Sequence, residues 1–90
     1  MVNLNKKIYI IEDDESIREM VKMALTSFSY EVASFENAED AMTVIHKAVP
    51  DMIIFDIMLP GMNGLEATKK LRNNPKTKDI PIIMLIPISN

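Results

Sequence analysis

The chain has 90 residues and no cysteine, which excludes a disulfide framework, a thiolate metal site and a thiol nucleophile while leaving its redox compartment open. No apolar stretch approaches the roughly 20 residues that span a bilayer, and residues 1–7 are polar with no apolar core behind them of the kind a signal peptide has. A cytoplasmic chain with no membrane partner is expected. Basic charge is not in excess either: ten Lys and Arg against thirteen Asp and Glu leave a net charge of −3. Such a balance carries no footprint for a phosphate backbone, so direct nucleic-acid binding is not expected. Repeats, low-complexity tracts and linkers are also missing, and a chain of this length holds one small domain, spanning 1–90. With 48% hydrophobic and 26% charged residues, the composition is globular rather than disordered.

What is present alternates between two kinds of segment. Lys7-Ile8-Tyr9-Ile10-Ile11 is apolar and β-branched and ends abruptly in Glu12-Asp13-Asp14-Glu15, the pattern of a buried strand running into a polar loop. From Ser16 the apolar positions Ile17, Met20, Val21, Ala24, Leu25 and Phe28 recur at three and four, so one stripe of a helix is expected to face a core. Residues 30–35 read as a second strand. Asn37 then stands as N-cap of a second helical stripe made of Ala38, Ala41, Met42, Ile45, Ala48 and Val49. Pro50-Asp51 breaks that helix, and Met52-Ile53-Ile54-Phe55 is a third apolar strand ending in a lone carboxylate, Asp56. The turn-rich Leu59-Pro60-Gly61-Met62-Asn63-Gly64 leads into a shorter helix over 65–73 with Leu65, Thr68 and Leu71 inward, and 80–86 reads as a fourth strand beginning near Pro81. Most of the eight Met residues fall on inward stripes and are expected to fill the core, with Met58 and Met62 in the loop as exceptions. Strands alternating with helices predict an α/β fold, a doubly wound parallel sheet with right-handed crossovers and helices on both faces.

In such a sheet the ligand crevice lies outside the carboxyl ends of the strands, where the strand order reverses. Glu12 and Asp13 follow the first strand and Asp56 ends the third, so their carboxylates converge if those strands are neighbours. Crowded anions raise at least one pKa unless a cation sits among them. Mg²⁺ suits such a place because it takes oxygen ligands, keeps several waters and needs few direct carboxylates. One carboxylate is then placed to attack an incoming phosphoryl group. Each piece has a plainer explanation alone: acids before a helix make a solvated N-terminus, and an Asp at a strand end forms a turn. Their conjunction is what points to a site. His46 and the basic run of Lys69, Lys70, Arg72, Lys76 and Lys78 read as solvated surface.

The stretches Ile10-Ile11-Glu12-Asp13-Asp14-Glu15-Ser16-Ile17-Arg18-Glu19-Met20 and Asp51-Met52-Ile53-Ile54-Phe55-Asp56-Ile57-Met58-Leu59-Pro60-Gly61-Met62-Asn63-Gly64 closely resemble the receiver domain of two-component response regulators. The resemblance covers about 7–85. It implies a flavodoxin-like parallel sheet in the order 2-1-3-4, Asp56 as the phosphoacceptor, Glu12 and Asp13 as a Mg²⁺-binding acid pair, and the backbone carbonyl of Met58 as the third protein ligand. A pair shifted by one, to Asp13 and Asp14, is the alternative. The implied function is a phosphorylation-dependent signalling module, which takes a phosphoryl group from a sensor histidine kinase and turns over no separate substrate. It is therefore not expected to be an enzyme. Two other readings stand beside it: a small Mg²⁺-dependent phosphohydrolase with an aspartyl-phosphate intermediate, and a receiver fragment without signalling activity. Against the hydrolase, Met58 occupies the position where a second acid would stand.

The resemblance also marks departures. A full receiver has five strands and five helices, and its fourth helix, fifth strand and fifth helix have no counterpart here, nor does the Lys that ends the fifth strand. Ile86 stands where the family carries Thr or Ser. A truncated domain with a non-family tail over 86–90 is expected, and with both the Lys and the Thr or Ser hydroxyl missing, phosphorylation of Asp56 is expected to be slow or absent. The fourth strand would then be an apolar edge, which favours a homo-dimer or higher oligomer joined through that edge or by exchange of elements.

Overall fold

The computed structural model describes residues 6–59 and 61–86, so Pro60 and all of the expected tail except Ile86 lie outside the described residues. The elements are β1 (Lys7–Ile11), α1 (Glu15–Ser27), β2 (Glu31–Phe35), α2 (Ala38–Lys47), β3 (Met52–Asp56), α3 (Gly64–Arg72) and β4 (Ile82–Leu85). Every pairing is parallel and the order is β2-β1-β3-β4, the expected flavodoxin-like arrangement. Parallel neighbours need crossovers, which the three helices supply. Each helix starts on a side-chain cap: Asp14 accepts the N–H of Ile17, Asn37 that of Asp40 and Asn63 that of Glu66. These caps satisfy backbone donors that the first turn leaves without partners.

The period of two along each strand sends side chains to opposite faces. Tyr9, Ile11, Ile53 and Phe55 join Ala41, Ile45, Ala67 and Leu71 in the core beneath α2 and α3. Ile8, Ile10 and Ile54 face the other way, with Val21 and Leu25 of α1 packed partly against them. Twelve buried residues on the first side against three on the second place most of the apolar burial under α2 and α3.

That imbalance corrects the reading of α1. Its stripe is present but shallow: no α1 residue is buried, and Ile17, Met20 and Phe28 are exposed, because among the described residues one helix alone covers this face and only its central turns reach the sheet. Leu65 was also expected inward and is exposed; α3 starts at Gly64, so its inward row is Gly64, Ala67 and Leu71. Val49 is exposed because α2 ends at Lys47 and Ala48 is already extended. Of the described methionines only Met42 belongs to the buried core, while Met20 and Met23 face solvent. The fourth strand is shorter than 80–86. Ile80 is buried in the preceding turn, its N–H donating to the Thr77 carbonyl at 3.1 Å, and the Pro81 carbonyl accepts the N–H of Ile53 at 3.0 Å.

Three side chains tie the elements together. The Tyr9 hydroxyl donates to the Ala48 carbonyl at 2.8 Å just beyond α2, and its ring meets Phe35 edge-on at 5.4 Å. The fully buried Thr77 hydroxyl donates to the Leu71 carbonyl at 2.6 Å. Arg72 is part of no purely solvated face: its guanidinium donates to the carbonyls of Lys78 and Ile80, both at 2.7 Å, clamping the α3–β4 connection. Among the described residues β4 pairs with β3 alone, and no helix is long and apolar enough to cross a membrane.

Candidate functional site

β1 and β3 are hydrogen-bonded neighbours, with Ile11 opposite Phe55, so the residues that follow them emerge side by side at the carboxyl edge of the sheet. Glu12 stays against that edge because its N–H donates to the Phe35 carbonyl at 3.0 Å. Asp56, opposite Leu85 in register, is the last residue of β3. Glu12, Asp13 and Asp56 each bring a carboxylate oxygen into a group whose members lie within 4.8 Å of one another; Glu12 is buried, Asp56 half-buried and Asp13 exposed. A cleft of about 300 Å³ opens beside them, lined by Glu12, Ile17, Asp56, Met58, Leu85 and Ile86.

The backbone arranges these groups further. Asp14 donates its N–H to Glu12 Oε1 at 3.1 Å and gives its own carboxylate to the N–H of Ile17 at 3.0 Å. Asp56 Oδ1 accepts the N–H of Met58 at 3.0 Å, which brings the Met58 backbone to the edge of the cleft, while its side chain is exposed. Burial pushes the Glu12 carboxyl up to about 7; the Asp14 N–H opposes that shift, and hydrogen bonding and charge repulsion from Asp56, with a further hydrogen bond from Asp13, add to it. The donor set consists of hard oxygens crowded tightly enough to hold a proton near neutrality. A divalent cation of the Mg²⁺ type fits those residues by relieving the same repulsion.

Two residues near the site had no role in the sequence reading. Arg18 of α1 donates from Nη1 to the Glu12 carbonyl at 2.7 Å, holding the acidic loop from the helix side. A cation in the first turns of a helix opposes the dipole, and that misfit was the sequence clue to it. Glu39 in the first turn of α2 accepts the N–H of Met62 at 3.1 Å through Oε2. That N–H, followed by Glu39's own backbone N–H, holds its carboxyl below the usual range; burial opposes the shift and the charge of Lys70 adds to it. Nothing local pairs positions 23 apart, so this contact had no sequence signature.

An acid pair behind β1 and a single Asp closing β3 meet at the carboxyl edge of a sheet ordered 2-1-3-4. The family model for the response regulator receiver domain matches residues 8–86. The chain belongs to this family. Among receiver-containing proteins, the phosphate regulon transcriptional regulatory protein PhoB of Pseudomonas aeruginosa is 44% identical over 82 residues, covering 91% of this chain and 36% of that protein. A probable transcriptional regulator ycf27 of Pyropia yezoensis is 38% identical over 85 residues, 94% of this chain and 34% of that protein. The chain thus spans about a third of the length of these regulators. Among solved receivers, the chemotaxis response regulator CheY4 of Vibrio cholerae superposes with a TM-score of 0.89 at 34% identity, over 96% of this chain and 72% of that one. The response regulator TrrA of Thermotoga maritima, solved in complex with Mg(2+)-BeF, gives 0.85 at 37% identity, over 93% of this chain and 71% of that one.

Proposed function

We propose that this receiver domain accepts a phosphoryl group on Asp56 from the phosphohistidine of a sensor histidine kinase, with Glu12, Asp13, Asp56 and the Met58 carbonyl as the protein ligands of Mg²⁺. The reading is carried by one observation, the meeting of three carboxylates within 4.8 Å at the carboxyl ends of β1 and β3. Mg²⁺, when bound, would neutralise charge on the phosphoryl oxygens.

The chain's own residues do the rest. The Met58 N–H holds Asp56 Oδ1, and the other carboxylate oxygen attacks phosphorus. A P–O bond forms as the P–N bond breaks, and the electron pair returns to the imidazole nitrogen, which takes a proton. Ile17, Leu85 and Ile86 wall the cleft with apolar surface, which orients the donor and keeps bulk water from one side. Ile86 brings no hydroxyl to that wall, so transfer is slow. The domain is a signal acceptor in the cytoplasm with no separate substrate, occupies 1–90 as one unit, and pairs with a second copy along the outer edge of β4.

Mass spectrometry after incubation with an acyl phosphate and Mg²⁺ tests this. One phosphoryl mass should appear on Asp56, depend on Mg²⁺ and vanish in Asp56→Asn. Labelling elsewhere, or none after prolonged incubation, overturns the reading.

A further inference from the structure

We propose that Glu39 is a positioning residue for the phosphoacceptor site: its carboxylate holds the loop between β3 and α3 in the shape that keeps the Met58 backbone against Asp56. The inference rests on the roles assigned above to Asp56 and Met58, and adds a residue on a different helix that neither the acid cluster nor the cleft contains.

The described residues of this loop, 57–59 and 61–63, are held at three points. At its start, the Met58 N–H donates to Asp56 Oδ1 at 3.0 Å. At its end, Asn63 caps α3 through the N–H of Glu66 at 2.9 Å, and Gly64 lies so close to Asp56 that a Cβ there would sit 3.2 Å from the Asp56 carbonyl oxygen. These three contacts stay within the loop and its two ends. Between them, the Met62 N–H donates across 3.1 Å to Glu39 Oε2, a side chain 23 residues away on α2.

Gly61 makes that approach possible. Its φ is +73°, and a Cβ on it would stand 2.8 Å from Glu39 Oε2. Glycine enters this conformation without the steric penalty of other residues and leaves room for the carboxylate. The acceptor is ionised, and charge-assisted bonds of this kind are roughly twice as strong as neutral ones. Glu39 also sits in the first turn of α2, where any acid favours the helix dipole. A purely helix-stabilising role and a positioning role therefore need to be told apart.

Substitutions of different reach separate them. Glu39→Asp keeps the helix-favouring charge but shortens the side chain by one methylene, whereas Glu39→Gln gives up the charge and keeps an oxygen that can accept from Met62. The experiment is a Mg²⁺ titration of the full 90-residue chain followed by backbone amide NMR, with amide exchange at Met58 and Met62 and urea unfolding without metal recorded for each variant. Residues that orient metal ligands from outside the ligand set typically change metal affinity 10–100-fold, and an exposed contact belongs at the low end. Glu39→Ala and Glu39→Asp should weaken Mg²⁺ binding about tenfold and speed exchange at Met62 and then Met58. Glu39→Gln, which keeps an acceptor for the Met62 N–H without the charge, should be affected less than either in both readouts.

Wild-type affinity and unchanged Met62 exchange in Glu39→Ala would overturn the positioning role. So would losses that track helix charge, with Glu39→Asp normal and Glu39→Gln impaired. A wild-type chain that binds no Mg²⁺ overturns the site itself and the positioning role with it. The Met62 amide reports the Glu39 contact without metal, so the two failures read differently.

Discussion

Asp14 donates its backbone N–H to Glu12 Oε1 at 3.1 Å while its own carboxylate caps α1 at the N–H of Ile17. Four consecutive acids are thereby divided between two tasks, with Glu12 turned to the sheet edge beside Asp56 and Asp14 turned to the helix. This division brings Glu12 and Asp13, rather than Asp13 and Asp14, beside Asp56, and it is the reason the proposed metal site uses the first pair.

Substituting the cap separates the two possibilities. Asp14→Ala should cost about 1 kcal/mol of stability, the usual loss for an N-cap, and leave Mg²⁺ affinity unchanged. Asp13→Ala should weaken Mg²⁺ binding with little effect on unfolding. Urea denaturation and Mg²⁺ titration of both variants check this, and equal loss of affinity in the two would restore the shifted pair.

The raised pKa of Glu12 links stability, pH and metal. Its folded value of about 7 lies above the ordinary 4.5, so the folded state holds a proton that the unfolded state has released. Stability of the metal-free domain should therefore fall as pH rises between those values and level off above about 7. A cation displaces that proton, so Mg²⁺ should raise the melting temperature more at pH 8 than at pH 6. Thermal melts with and without Mg²⁺ at the two pH values measure it; a stabilisation larger at the lower pH contradicts the assignment of Glu12.

Ile86 lines the cleft beside Leu85 and Asp56 and offers no hydrogen bond to a phosphoryl oxygen. Ile86→Thr should raise the rate of Asp56 labelling by an acyl phosphate about tenfold, less than the 10²–10³ of a fully enclosed donor because the cleft is open. Time courses by intact-mass spectrometry decide it, and an unchanged rate places the slow step elsewhere.

β4 has one neighbour among the described residues, and Ile83 on it is 45% exposed. The 90-residue chain should elute as a dimer or larger in light scattering coupled to size exclusion, since an apolar strand edge recruits another strand. A charge on that edge opposes such pairing, so Ile83→Lys should shift the population towards monomer. A well-folded wild-type monomer at micromolar concentration would remove this interface.

Much of the architecture was readable in order along the chain because its causes are local. The apolar run ending at Glu12, the cap at Asn37 and the strand closed by Asp56 each depend on residues within a turn or a strand of one another. Alternating strands and helices leave few topologies, so the meeting of Glu12, Asp13 and Asp56 could be anticipated once β1 and β3 were taken as neighbours. The depth of burial could not. Periodicity shows which way Ile17 and Met20 point, whereas their exposure depends on how many helices cover that face of the sheet. Arg72 looked like one more surface cation until the chain folded back and placed the carbonyls of Lys78 and Ile80 within its reach. The Glu39–Met62 and Tyr9–Ala48 contacts join positions 23 and 39 residues apart. Such pairs form only when whole elements pack, and a hydrogen bond decided by the separation of two packed elements leaves no pattern in the residues that flank either partner.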